Sequence, residues 1–143
     1  MKPVEELIPH RAPFAFLDEL LEVEGNRLRA RRTIRADEPH FAGHYPKAPL
    51  MPGVLLCEAA LQAGACLLSS RLPAGSAHGV PVVSKIEEAR FKRPVRPGDQ
   101  IEVEVEELEV VGPAHWMKGK ITCNGKLVVS LRFTVMLAEM EAE

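Results

Sequence analysis

Of the three cysteines in the chain, Cys57, Cys66 and Cys123, no two stand at a spacing that a zinc or redox motif uses. An odd count without a CxxC pair argues against a disulfide scaffold and for a reducing compartment. The start, Met1-Lys2-Pro3-Val4-Glu5-Glu6, lacks the apolar stretch of a secretory leader, so a soluble, cytoplasmic protein is expected. The longest apolar run, Val54 to Leu68, is broken by Glu58 and Gln62 and falls short of the roughly 20 residues that a bilayer span needs. A formal net charge of -2 gives no reason to invoke nucleic acid. No internal repeat, linker or low-complexity segment divides the 143 residues, enough for one domain with its own core and too few for two. With 46% hydrophobic and 27% charged residues, the balance is that of an ordinary globular protein.

What is present reads as one buried helix among strands. Pro3 to Leu7 is a short helical candidate ended by Pro9. Phe14 to Val23 is strand-like, and Gly25-Asn26 forms a two-residue turn with glycine first, as a type II′ hairpin requires. That register sets Glu24 opposite Arg27 and Glu22 opposite Arg29, while Leu28, Ala30 and Ile34 alternate onto the other face. Residues 36–52 carry Pro39, Pro46, Pro49 and Pro52 with Gly43, so no regular element is expected there. A connection of that length is usually functional or disordered, and its aromatics argue against disorder. Pro52 and Gly53 open a helix that runs to about Arg71. It is apolar nearly all the way round, which predicts a helix enclosed by other structure.

The remainder is strand. Val80 to Arg93, Ile101 to Val111, His115 to Cys123 and Leu127 to Leu137 are separated by Pro97-Gly98-Asp99, Gly112-Pro113 and Asn124-Gly125. Glu102, Glu104 and Glu106 alternate with valines as a solvated sheet face. Residues 138–143 look like an acidic, frayed tail. A sheet of long antiparallel strands curled around one helix is an α+β arrangement.

The chemistry concentrates in Gly43-His44-Tyr45-Pro46 and the segment that follows, Leu50-Met51-Pro52-Gly53-Val54-Leu55-Leu56-Cys57-Glu58-Ala59. Glu58 is a lone carboxylate in an apolar helix, and Gln62, four residues on, shares its stripe. Two readings are open. Glu58 is either held structurally, by Gln62 or by an arginine such as Arg32, or it is an acid of raised pKa. His44 is either a surface histidine or a base whose path to the helix is fixed by the prolines. The first amides of the helix, at Gly53, have no intrahelical acceptor and can polarise a ligand carbonyl. His40 and His44 are four apart, but Gly43 and Pro46 break any helix that would make this a metal site. Cys57 reads as a small buried hydrophobe, His10 and His115 as structural, and Trp116 as core or interface.

The segment from Gly43 to Ala59 resembles the active-site segment of the 3-hydroxyacyl-[acyl-carrier-protein] dehydratases of the FabZ type. Three further segments resemble that family in the same order: Leu7-Ile8-Pro9-His10-Arg11-Ala12-Pro13-Phe14, Ile86-Glu87-Glu88-Ala89-Arg90-Phe91-Lys92-Arg93-Pro94, and Pro97-Gly98-Asp99-Gln100. Together they cover roughly residues 5 to 137. The resemblance implies the hotdog fold over residues 1–143, a single domain in which a long antiparallel sheet wraps a central helix. It implies His44 and Glu58 as the catalytic pair, His from one subunit and Glu from the other, in a homodimer or a hexamer built as a trimer of dimers. It also implies that the Gly53 amide takes the thioester carbonyl, with Val54 and Gln62 beside the substrate. No metal and no organic cofactor is required. The partner is an acyl carrier protein bearing a 3-hydroxyacyl chain, and because that partner is acidic, Arg90, Lys92, Arg93 and Arg96 are candidates for its docking patch. Neither nucleic acid nor membrane insertion is implied.

The glutamate at position 58 favours this branch over the related dehydratase-isomerases, which carry aspartate there. The chain departs from the family at Pro81-Val82-Val83-Ser84-Lys85, where members often carry an aromatic that gates the acyl tunnel. Two other functions fit the same fold: an acyl-CoA thioesterase, in which a helix carboxylate activates water, and a non-catalytic acyl-binding protein. The Gly43–Pro46 loop argues against the first. The second needs neither His44 nor Glu58.

Overall fold

The computed structural model describes residues 1–71 and 80–138. A short helix α1 (Val4–Leu7) precedes strands β1 (Glu19–Glu24) and β2 (Arg27–Thr33), then a 3-10 turn (Pro39–Ala42) and the long helix α2 (Gly53–Ser70). Four longer strands follow: β3 (Val80–Phe91), β4 (Gln100–Val111), β5 (Ala114–Cys123) and β6 (Lys126–Ala138). They form one six-stranded sheet in the order β1-β2-β4-β5-β6-β3, every neighbouring pair antiparallel. The α2 helix packs on one face of that sheet, touching β2 to β6. This is the hotdog arrangement that the resemblance implies.

The two-residue period of β4 decides which side meets the helix. Ile101, Val103 and Val105 are fully buried beneath α2, while Glu102, Glu104 and Glu106 point the other way. Helix and sheet approach closely because small residues meet at the contact. A Cβ on Gly64 would lie 2.8 Å from the Phe133 ring and 2.9 Å from Met117 Sδ. Ala60, Ala63, Cys66 and Leu67 fill the rest of that contact and are fully buried. By length and composition α2 could cross a membrane, with a mean hydropathy of 1.4, but most of it is buried inside this fold.

Four expectations need correction. The α2 helix is not enclosed on every side: Val54 is 73% exposed, and Leu55, Glu58 and Leu61 are only partly buried. Positions 54, 58 and 61 fall on one stripe of the helix, so the uncovered part is a face and not a scatter. Strand β1 begins at Glu19 rather than Phe14, because the carbonyl of Phe14 and the amide of Phe16 bond the Gln62 side chain instead of a neighbouring strand. Residues 36–52 do contain a regular element, the 3-10 turn opened by Pro39. Finally, Arg27 pairs with Glu104 rather than Glu24, although Glu24 stands opposite it in the ladder as expected.

The hairpin turn has the expected handedness, with Gly25 at φ 57. Glu22 pairs with Arg29 at 3.0 Å. Residues 139–143, most of the expected acidic tail, lie outside the described residues.

Candidate active site

Glu58 sits on the uncovered stripe of α2, one turn and a half into the helix. Its carboxyl accepts one hydrogen bond, from Gln62 Nε2 at 3.1 Å. The Gln62 amide is oriented by its other partners: Oε1 accepts from the Phe16 amide at 2.9 Å and Nε2 donates to the Phe14 carbonyl at 2.9 Å. Both Nε2 hydrogens are then used, so this buried side chain holds Glu58 and leaves no donor for a ligand. Burial pushes the Glu58 carboxyl above the usual carboxylate range; the Gln62 hydrogen bond and the charge of His10 oppose that rise. A carboxyl group so placed keeps its proton to higher pH than a surface one and can act as an acid near neutrality.

Beside Glu58 opens a cleft of about 370 Å³. Leu61 and Ala65 of α2 wall it on one side and Pro81, Val82, Val83 and Ile86 of β3 on the other. Apart from Glu58, Gln62 and His10 the lining is apolar, which suits an acyl chain. Val82, Val83 and Ile86 are 44%, 37% and 49% exposed, so this wall is open to solvent in a single chain. Where an aromatic gate is common in the resembled family, the wall here is aliphatic.

His44 lies in the loop between the 3-10 turn and α2 and is partly buried. Its Nδ1 stands 2.8 Å from the Leu50 carbonyl oxygen. A carbonyl can only accept, so Nδ1 donates, and in the neutral ring Nε2 is left as a basic lone pair. The Tyr45 ring meets the imidazole edge-on with centroids 4.7 Å apart. Tyr45 itself adopts φ 55, an uncommon conformation for a bulky residue that costs on the order of 1 kcal/mol and clusters at functional sites. One chain leaves His44 outside the cleft that Glu58 lines.

The loop that carries His44 is anchored from below. Arg32, on the inward face of β2, forms a buried ion pair with Glu38, donates to the Ala15 carbonyl at 2.5 Å and lies 5.0 Å from the Phe16 ring centroid. Glu38 also accepts from the Arg35 amide at 2.7 Å. Arg32 is thus taken by Glu38 and is not the partner of Glu58. Its place was legible in the alternation Leu28, Ala30, Arg32, Ile34, which puts an arginine on the apolar face.

At the N-terminus of α2 no side chain caps the first amides. The space a Gly53 Cβ would occupy is taken by the Phe91 ring, 2.7 Å away, so glycine here admits a close neighbour from β3. Val54 is the most exposed residue of the helix start. Arg90, Lys92, Arg93 and Arg96 are all exposed around the end of β3, and none has an ion-pair partner among the described residues.

The other candidates divide. Cys57 and Cys66 are buried, and burial pushes the Cys66 thiol up to about 12, which makes it inert. His115, expected to be structural, pairs with Glu107 at 3.0 Å. Trp116 is 46% exposed and so does not belong to the core of the single chain. His10, expected to be merely structural, lines the cleft with Glu58, a fact that sequence reasoning missed.

Comparison with known proteins adds the family context. The FabA-like domain family matches residues 8–132. The chain is 39% identical over 140 residues to the 3-hydroxyacyl-[acyl-carrier-protein] dehydratase FabZ of Hydrogenobaculum sp. (strain Y04AAS1), covering 97% of this chain and 95% of the relative. It is 40% identical over 144 residues to the protein of the same name from Geobacillus thermodenitrificans, covering 99% and 97%. Among solved structures it is similar to the dehydratase heterocomplex ApeI:P from Xenorhabdus doucetiae, with a TM-score of 0.83 at 20% identity over 97% of this chain and 93% of the other. At that identity the likeness speaks for the fold.

Proposed function

From the premise that the chain belongs to the FabA-like family, we propose that it removes water from a 3-hydroxyacyl chain carried on acyl carrier protein, giving the trans-2-enoyl product of fatty acid biosynthesis. The observation that carries this reading is a carboxyl group of raised proton affinity lining an otherwise largely apolar cleft, on a helix face that one chain leaves uncovered. A homodimer would cover that face and bring His44 of the partner subunit to Glu58. Such dimers can assemble further into a hexamer.

In this reading the first amides of α2, at Gly53, polarise the thioester carbonyl and accept the charge that grows on its oxygen. His44 takes the C2 proton on Nε2, the nitrogen left free by the Leu50 hydrogen bond. As the C2=C3 double bond forms, the C3–O bond breaks and the leaving hydroxide takes the Glu58 proton, departing as water. The proton on His44 then returns through solvent to the Glu58 carboxylate. Gln62 keeps the Glu58 carboxyl aimed, and Val54 borders the thioester. The exposed cations Arg90, Lys92, Arg93 and Arg96, without ion-pair partners among the described residues, suit the docking of an acidic carrier protein. Cys57 and Cys66, both free and buried, fit a reducing cytoplasm.

The test is an assay with 3-hydroxyacyl thioesters of graded length, on carrier protein and on coenzyme A, followed by enoyl absorbance and by free thiol. Enoyl formation without thiol release is the expected result. Thiol release alone would identify a thioesterase and overturn the reading, and binding without turnover would identify a non-catalytic protein.

A further inference from the structure

The cleft beside Glu58 holds a second titratable side chain, His10, from the segment joining α1 to β1. That segment is clamped to α2 by Gln62, which bonds both Phe14 and Phe16 while donating to Glu58. The His10 ring stacks on Phe14 with centroids 6.4 Å apart and an interplanar angle of 24°. Its Nδ1 is buried without a hydrogen-bond partner among the described residues. Among the described residues that line the cleft, α2 contributes Glu58 and the uncharged Gln62, β3 contributes Pro81, Val82, Val83 and Ile86, and β6 contributes Val135. His10 is therefore the one described lining residue able to set a positive charge against the Glu58 carboxyl.

We propose that His10 is a positioning residue for the dehydration, acting through Glu58 by stabilising its carboxylate once the proton has gone to the leaving hydroxide. This rests on Glu58 being the acid. Burial raises the proton affinity of Glu58; a positive charge on His10 opposes that rise and favours release of the proton.

The experiment titrates the Glu58 carboxyl by carbon-13 NMR in the intact oligomer, with Glu58→Gln assigning the signal. His10→Phe keeps the ring that stacks on Phe14 and His10→Gln keeps a polar group; both remove the charge. In either variant the Glu58 midpoint should move to higher pH, and kcat should fall roughly tenfold, less than the roughly 100-fold or more that losing a direct proton-transfer partner costs, with KM little changed. An unmoved midpoint overturns the proposal. So does loss of folding in both variants, which would make His10 a support of the core. If the wild-type protein forms no enoyl product, the reaction assignment fails, yet the titration still decides whether His10 governs Glu58.

Discussion

The two faces of this molecule treat charge in opposite ways. On the outer face of the sheet, arginines of β2 meet glutamates of both neighbouring strands: Arg27 with Glu104 of β4, and Arg29 with Glu22 of β1 at 3.0 Å and Glu102 of β4 at 3.7 Å. Lys120 of β5 adds to Glu104 at 3.5 Å. Each of these charges has a partner and access to solvent. In the cleft beside α2, Glu58 is partly buried with one amide donor, and His10 Nδ1 has no hydrogen-bond partner among the described residues. Charge that is matched holds a sheet together only slightly; charge left unmatched and half-buried is kept where chemistry needs it.

The largest effect that would sharpen this contrast is on turnover. His44→Ala and Glu58→Gln should each lower kcat by roughly 100- to 10,000-fold, the range for losing a general base or acid, while circular dichroism and oligomeric state stay as in the wild type. Glu38→Ala attacks the one buried ion pair among the described residues. It leaves Arg32, 2% exposed, without its partner and should cost about 3–5 kcal/mol in denaturant unfolding. Val82→Phe places an aromatic on the open cleft wall; kcat/KM for long acyl chains should fall about tenfold or more relative to four-carbon substrates, since one misfitting group is worth about 1–3 kcal/mol. Glu104→Gln on the outer face should change stability by about 1 kcal/mol or less and leave turnover alone.

Glu58 also predicts a pH dependence of opposite sign to that of a paired carboxylate. Its proton is held more tightly in the folded than in the unfolded chain, so the folded state binds more protons above the unfolded value of 4.5. Stability is then lost as pH rises through the raised folded value. Glu58→Gln cannot ionise, so its melting temperature should exceed that of the wild type at pH 8 and match it at pH 4. A gain that persisted at pH 4 would mean that packing, not charge, is responsible.

The fold was legible where period and turn chemistry agreed. Asn124-Gly125 and Gly25-Asn26 located two hairpins, and the alternation of Ile101, Val103 and Val105 with glutamates gave the inner face of β4. The start of β1 was not legible, because Phe14 and Phe16 look like strand residues and their diversion to Gln62, 48 and 46 residues away, is a long-range event. The same limit hid His10: its place beside Glu58 depends on how the first segment wraps α2, which no local pattern records. Glu58 and His44 stood out because an acid in an apolar helix and a histidine in a proline-stiffened loop conflict with the bland reading of each element. The helix was wrongly expected to be enclosed, since an all-apolar sequence does not tell a face covered by its own sheet from one left open in the single chain.

Mixing the two inactive variants tests the central claim most directly. If each site takes His44 from one subunit and Glu58 from the other, dissociating and reassociating equal amounts of His44→Ala and Glu58→Gln proteins makes mixed dimers with one intact site each, and about a quarter of wild-type enoyl formation should return by simple two-fold statistics. Should no activity return although mixed dimers are demonstrated by mass, the base and acid do not meet across subunits and the account is contradicted.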